Sequence, residues 1–186
     1  MIGYAFCGSF CTLGESLGAL DTLARSGEEI LPVMSERVYG TDTRFFAKEE
    51  FHSRVRSATG RSIIHTVKDA EPLGPTSPLR ALIIAPCTGN TLAKLASGIT
   101  DTAVTMAAKA HLRQDRPLLI ALASNDAMSQ NLGNIGKLLQ RKSVYFVPMR
   151  QDDPIGKPHS LVADFSKIPE ALSAMLVGKQ LRPLFI

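Results

Sequence analysis

Four short segments of this chain have the chemistry of a phosphate and polar-ligand cradle: Gly8-Ser9, Ser35, Thr88-Gly89-Asn90-Thr91 and Ser124-Asn125-Asp126. Glycine and serine let an anion approach backbone N–H groups, and at a helix N-terminus the dipole also favours negative charge. Each segment alone is as well explained as a helix cap, because Ser, Thr, Asn and Asp accept hydrogen bonds from first-turn amides. Four of them at comparable positions make ligand binding competitive with capping. The common nucleotide signatures are missing. Gly8 and Gly14 are separated by five residues, which is neither Gly-x-Gly-x-x-Gly nor a phosphate loop ending in Gly-Lys-Ser/Thr. Ser35 stands where a dinucleotide site would carry an acid for the ribose. NAD and ATP are therefore disfavoured, whereas a mononucleotide with a polar tail, such as FMN, fits hydroxyl and amide donors.

Other reactive side chains are sparse. Cys7 and Cys11 are four positions apart, but no second pair completes a structural zinc site, and no two of the four histidines sit at ligand spacing. No metal is expected, and an odd, thin set of three cysteines, Cys7, Cys11 and Cys87, suits a reducing compartment. The formal charge of +4 is concentrated between Arg44 and Lys68, where six cations face only Glu49 and Glu50. With no Trp and no nucleic-acid-binding signature, that excess points to a small acidic substrate or a protein partner, with a solvated helix face as the plainer explanation.

These residues need a scaffold, and the chain is long enough to build one. Its 186 residues, 45% hydrophobic and 20% charged, suit a single folded domain over 1–186 rather than a disordered chain. The longest apolar runs, Ala81–Pro86 and Pro117–Ala123, are strand-sized, far short of the ~20 residues of a membrane span. The first residues have no basic stretch ahead of an apolar one, so a soluble, cytoplasmic protein is expected. Apolar periodicity predicts strands at Ile2–Phe6, Glu29–Met34, Ser62–Val67, Leu79–Ala85, Pro117–Ala123 and Val144–Val147. Helices are predicted from Leu13 to a stop at Gly27, then over Phe45–Ser57, Thr91–Ala96, Thr102–Leu112, Asn131–Arg141 and Ile168–Val177. Three prolines forbid a helix over Glu71–Pro78. The alternation implies an α/β fold: an open, mostly parallel Rossmann-like or flavodoxin-like sheet with helices on both faces, binding its ligand at the strand exits.

The segment Ala85-Pro86-Cys87-Thr88-Gly89-Asn90-Thr91-Leu92-Ala93-Lys94-Leu95-Ala96 resembles the Pro-Ala-Ser-Ala-Asn-Thr motif of the homo-oligomeric flavin-containing cysteine decarboxylase superfamily, which includes the flavin prenyltransferases. Further stretches narrow the resemblance to the family of dipicolinate synthase B subunits. They are Gly8-Ser9-Phe10-Cys11-Thr12, Thr41-Asp42-Thr43-Arg44-Phe45, Glu71-Pro72-Leu73-Gly74-Pro75, Ser124-Asn125-Asp126-Ala127, Gln151-Asp152-Asp153-Pro154 and Lys157-Pro158.

The resemblance implies a flavoprotein that acts with an A subunit during sporulation to form dipicolinate, pyridine-2,6-dicarboxylate, from a dihydrodipicolinate-type precursor. A flavin suits that loss of hydrogen as a hydride acceptor. Carried over by motif position, Gly8, Ser9, Ser35, Thr88, Asn90 and Thr91 are FMN contacts, and Ala123, Ser124 and Asn125 form a wall beside its ring. A dicarboxylate needs cations, for which Arg44 ranks ahead of Lys94 and Lys157. Asp126 or Asp153 would orient an amine or remove a proton. Two departures weigh against cysteine decarboxylation: Ser-Asn-Asp-Ala replaces a Pro-Ala-Met-Asn-type loop, and neither His52 nor His65 lies in the decarboxylase context. Gly89 stands where the motif has Ala. The alternatives are a flavin-dependent decarboxylase or prenyltransferase, and a non-catalytic partner that activates the A subunit.

Overall fold

The computed structural model describes residues 1–186 except Pro75, Ser77 and Pro78. Strands β1 (Ile2–Phe6), β2 (Ile30–Met34), β3 (Leu82–Cys87), β4 (Leu118–Ser124) and β5 (Val144–Phe146) form a parallel sheet in the order 2-1-3-4-5. β1 and β3 are buried along their whole length, as strands covered on both faces must be. On one face pack α1 (Leu13–Arg25), α3 (Lys48–Thr59) and α8 (Ile168–Leu176). On the other lie α5 (Gly89–Ser97), α6 (Ala103–Leu112) and α7 (Leu132–Leu139). Leu13, Leu17, Leu20 and Leu23 recur along α1 on its buried side, and Gly27 ends the segment at φ +90°, a conformation open to glycine.

The expected alternation of elements is present, with local differences. The strand expected over Ser62–Val67 is one bridge, Ile64 to Val33, after which Thr66 caps the short helix α4 (Val67–Ala70). Glu71–Leu73 forms a 3-10 turn although Pro72 lies within it, since proline is tolerated in the first turn; Pro75, Ser77 and Pro78 of the expected loop lie outside the described residues. β3 runs through Pro86 to Cys87, with its register against β4 shifting between Ile84 and Cys87, as a residue without an N–H requires.

Three further differences shape the strand exits. The helix expected from Phe45 starts at Lys48, because Thr43 Oγ1 accepts from the Phe45 and Phe46 amides and Asp42 Oδ1 from the Lys48 amide, which folds 41–47 into a loop. A short helix, α2 (Glu36–Gly40), follows Ser35. Strands β6 (Met149–Arg150) and β7 (Leu161–Ala163) extend the sheet antiparallel from the end of β4, and the polar segment between them, 151–160, hangs beside the exits.

Candidate functional site

All four polar segments converge at the carboxyl ends of β1 to β4. There they border two neighbouring cavities of about 650 Å³ and 710 Å³. The first is lined by Gly8, Ser9, Arg44, Thr88, Asn90, Ala123, Ser124, Asn125 and Asp126, all expected from the sequence, together with Lys157. The second takes Ser35, Thr91 and Lys94. Gly8, Thr88 and Asn90 border both, so one elongated ligand can lie across them. Asp153 lines neither cavity; its Oδ1 accepts from the Gly156 amide at 2.8 Å and shapes the 151–160 turn.

Capping and ligand binding divide among these residues. Thr88 Oγ1 accepts from the Thr91 amide at 3.2 Å and caps α5, and Ser35 Oγ accepts from the Val38 amide at 3.4 Å and caps α2. Ser9 caps nothing; its Oγ accepts from Thr12 Oγ1 at 3.0 Å. Among the described residues the side chains of Asn90 and Asn125 make no protein hydrogen bond, although both line a cavity. Free amide groups on a glycine-bordered rim at the N-terminus of a nine-residue helix suit the phosphate and hydroxyls of FMN.

The charges are mostly paired. Lys94 Nζ donates to Asp101 at 2.8 Å, and Lys157 Nζ donates to Asp152 Oδ2 at 3.0 Å, a bond that raises the Lys157 pKa. Arg44, on the 41–47 loop, lies over the Phe45 ring with Cζ 4.8 Å from its centroid, and no carboxylate pairs with it among the described residues. Of the six cations from Arg44 to Lys68, Arg44 alone lines either cavity, while Arg54 and Arg56 stand exposed on α3. The solvated face of α3 thus accounts for Arg54 and Arg56, two of the six. Facing Arg44's cavity are three acids, Glu15, Asp126 and Asp152.

Asp126 is the most constrained of these. Ser124 Oγ donates to its Oδ1, and Asn131 Nδ2 donates to Oδ2 at 3.0 Å. Glu36 and Arg37 border the second cavity; Glu36 Oε1 accepts from the Ala103 amide at 3.0 Å and so caps α6. Neither these two nor Asp152 and Asn131 stand out as site residues in the sequence, because a shared α/β rim is assembled by chain reversals that leave no local pattern. The Ser35 exit itself is the one available pointer to Glu36. Cys7 and Cys87 are buried beneath the rim, and burial pushes the Cys7 thiol up to about 11, so they act as small core residues there; Cys11 is exposed at the cavity. Among the described residues no cluster of His, Cys, Asp and Glu is arranged to hold a metal.

A family model described as Flavoprotein matches residues 2–172. The dipicolinate synthase B subunit of Bacillus subtilis is 38% identical over 185 residues, which cover 100% of this chain and 92% of that protein. The crystal structure of the dipicolinate synthase B subunit from Bacillus halodurans C superposes with a TM-score of 0.92 at 38% identity, over 100% of this chain and 95% of that one. The FMN-dependent cysteine decarboxylase SpaF has the same fold, at a TM-score of 0.70 and 22% identity over 95% of this chain and 94% of its own.

Proposed function

The chain belongs to the flavoprotein family and, within it, to the family of dipicolinate synthase B subunits, and from that premise we propose that it binds FMN across the two cavities and acts with an A subunit to form dipicolinate. Gly8, Ser9, Ser35, Thr88, Asn90 and Thr91 hold the phosphate and polar tail, and Ala123, Ser124 and Asn125 lie along the ring. When bound, FMN supplies a two-electron acceptor for the hydride that a dihydrodipicolinate-type ring loses on becoming aromatic. Arg44 pairs a ring carboxylate through its planar fork, and Asp126 accepts the accompanying proton.

One observation carries this reading: a guanidinium without a carboxylate partner among the described residues and a doubly hydrogen-bonded carboxylate line the same cavity, at a rim of glycine, serine and threonine. The test is FMN titration followed by steady-state kinetics with the A subunit. Protein that gains visible absorbance with FMN and shows a raised KM in dipicolinate formation on Arg44→Ala supports it. Protein that stays colourless with excess FMN contradicts the cofactor, and an Arg44→Ala variant with unchanged kcat and KM contradicts the substrate contact.

A further inference from the structure

The candidate base is clamped by a residue that does not itself line the cavity. Asn131, just before α7, is 4% exposed, and its amide is committed on both sides. Its Nδ2 donates to Asp126 Oδ2 at 3.0 Å, while its Oδ1 accepts from Asn134 Nδ2 at 2.9 Å. From the other side Ser124 Oγ donates to Asp126 Oδ1. The Asp126 carbonyl accepts from the Ser129 and Asn131 amides, each at 3.1 Å, so the backbone beneath the carboxylate is fixed as well. The first turn of α5 presses on the same group. A Cβ at Gly89 would come within 2.6 Å of Asp126 Oδ1 and 2.7 Å of Asn131 Nδ2, and would also strike Ser124 Oγ.

We infer that Asn131 is a positioning residue for the proposed reaction, holding with Ser124 the Asp126 carboxylate in one orientation at the cavity, and that Gly89 provides the room this arrangement needs. A buried amide has to find partners wherever it sits. Here its one donor contact beyond the helix start is a carboxylate oxygen of the cavity wall, and a second donor holds the other oxygen. A proton acceptor works only within hydrogen-bond reach of its proton, and a displacement of about 1 Å can cost roughly a hundredfold in rate. The inference rests on Asp126 being the proton acceptor, and the experiment separates the two.

Dipicolinate formation by the FMN-loaded protein with its A subunit is measured against pH for wild type, Asn131→Ala, Asn131→Asp, Ser124→Ala, Asp126→Asn and the Asn131→Ala/Asp126→Asn double variant, with thermal melting and FMN titration for each. Asn131→Ala lowers kcat roughly 10- to 100-fold with KM and FMN affinity little changed, and adds nothing to Asp126→Asn. Asn131→Asp keeps the shape but sets a second carboxylate against the first; the pair shares a proton, and the acidic limb of the pH profile moves to higher pH. Ser124→Ala, at a half-buried position, lowers kcat in the same direction and decides the matter if the Asn131 variants do not fold. Folded Asn131→Ala and Ser124→Ala proteins with wild-type kcat and pH profile overturn the positioning role while leaving Asp126 in place. An Asp126→Asn variant as active as wild type overturns the proton-acceptor reading beneath it.

Discussion

Arg44 shows how one residue can matter to a site. It brings one of its segment's six cations to the cavity, because Thr43 ties 41–47 into a loop ahead of α3. Losing its charged hydrogen bonds to a substrate carboxylate costs about 1.5–3 kcal/mol, so Arg44→Ala is expected to raise KM roughly 10- to 100-fold with FMN binding intact, as steady-state kinetics and an absorbance titration would show. The thiols provide a separate check. With Cys7 and Cys87 buried and Cys11 exposed, a disulfide reagent at pH 8 is expected to modify one thiol per native chain and three after denaturation. Gly8, Ser9, Thr88, Asn90 and Ser124 were legible in the sequence because each stands at the end of an apolar run, where local pattern suffices. Asn131 and Asp152 were not. Their roles come from contacts at the rim, and Asn131 reads in sequence only as the start of a helix.

At the scale of elements, long periodic segments were legible and, apart from β5, short ones were not. α1, α6 and the central strands form where their apolar spacing puts them, whereas α2, β6 and β7 span only a few residues, too few for a period to register. These short pieces nonetheless position the site, since α2 presents Glu36 and Arg37 and the β6–β7 connection presents Asp152 and Lys157. Thr88→Ala removes the α5 cap and is expected to cost about 0.5–2 kcal/mol in chemical denaturation. α6 sets a pH limit. Burial holds the His111 pKa below the usual histidine range against the opposing bond from Nε2 to the Pro117 carbonyl at 2.9 Å. The unfolded chain protonates first, so stability is full above about pH 6.5 and is lost as pH falls through the lower folded-state value. Thermal melting between pH 7.5 and 5 should show that loss, and His111→Leu should flatten it while costing about 1 kcal/mol for the lost hydrogen bond.

Across the whole molecule, the sheet order 2-1-3-4-5 with helices on both faces places one continuous polar rim over the strand exits, and no helix among the described residues is long and apolar enough to cross a membrane. As the resemblance to a homo-oligomeric superfamily implies, we expect assembly with copies of itself as well as with the A subunit; light scattering should then give a multiple of 20.1 kDa. On the proposal made above, this chain is a necessary, flavin-bearing half of a two-component synthase. The most direct test of that proposal is dipicolinate formation by the A subunit alone, by this chain alone and by the two together, with and without FMN. Turnover is predicted only when both chains and FMN are present, and full turnover by the A subunit without this chain would contradict the account.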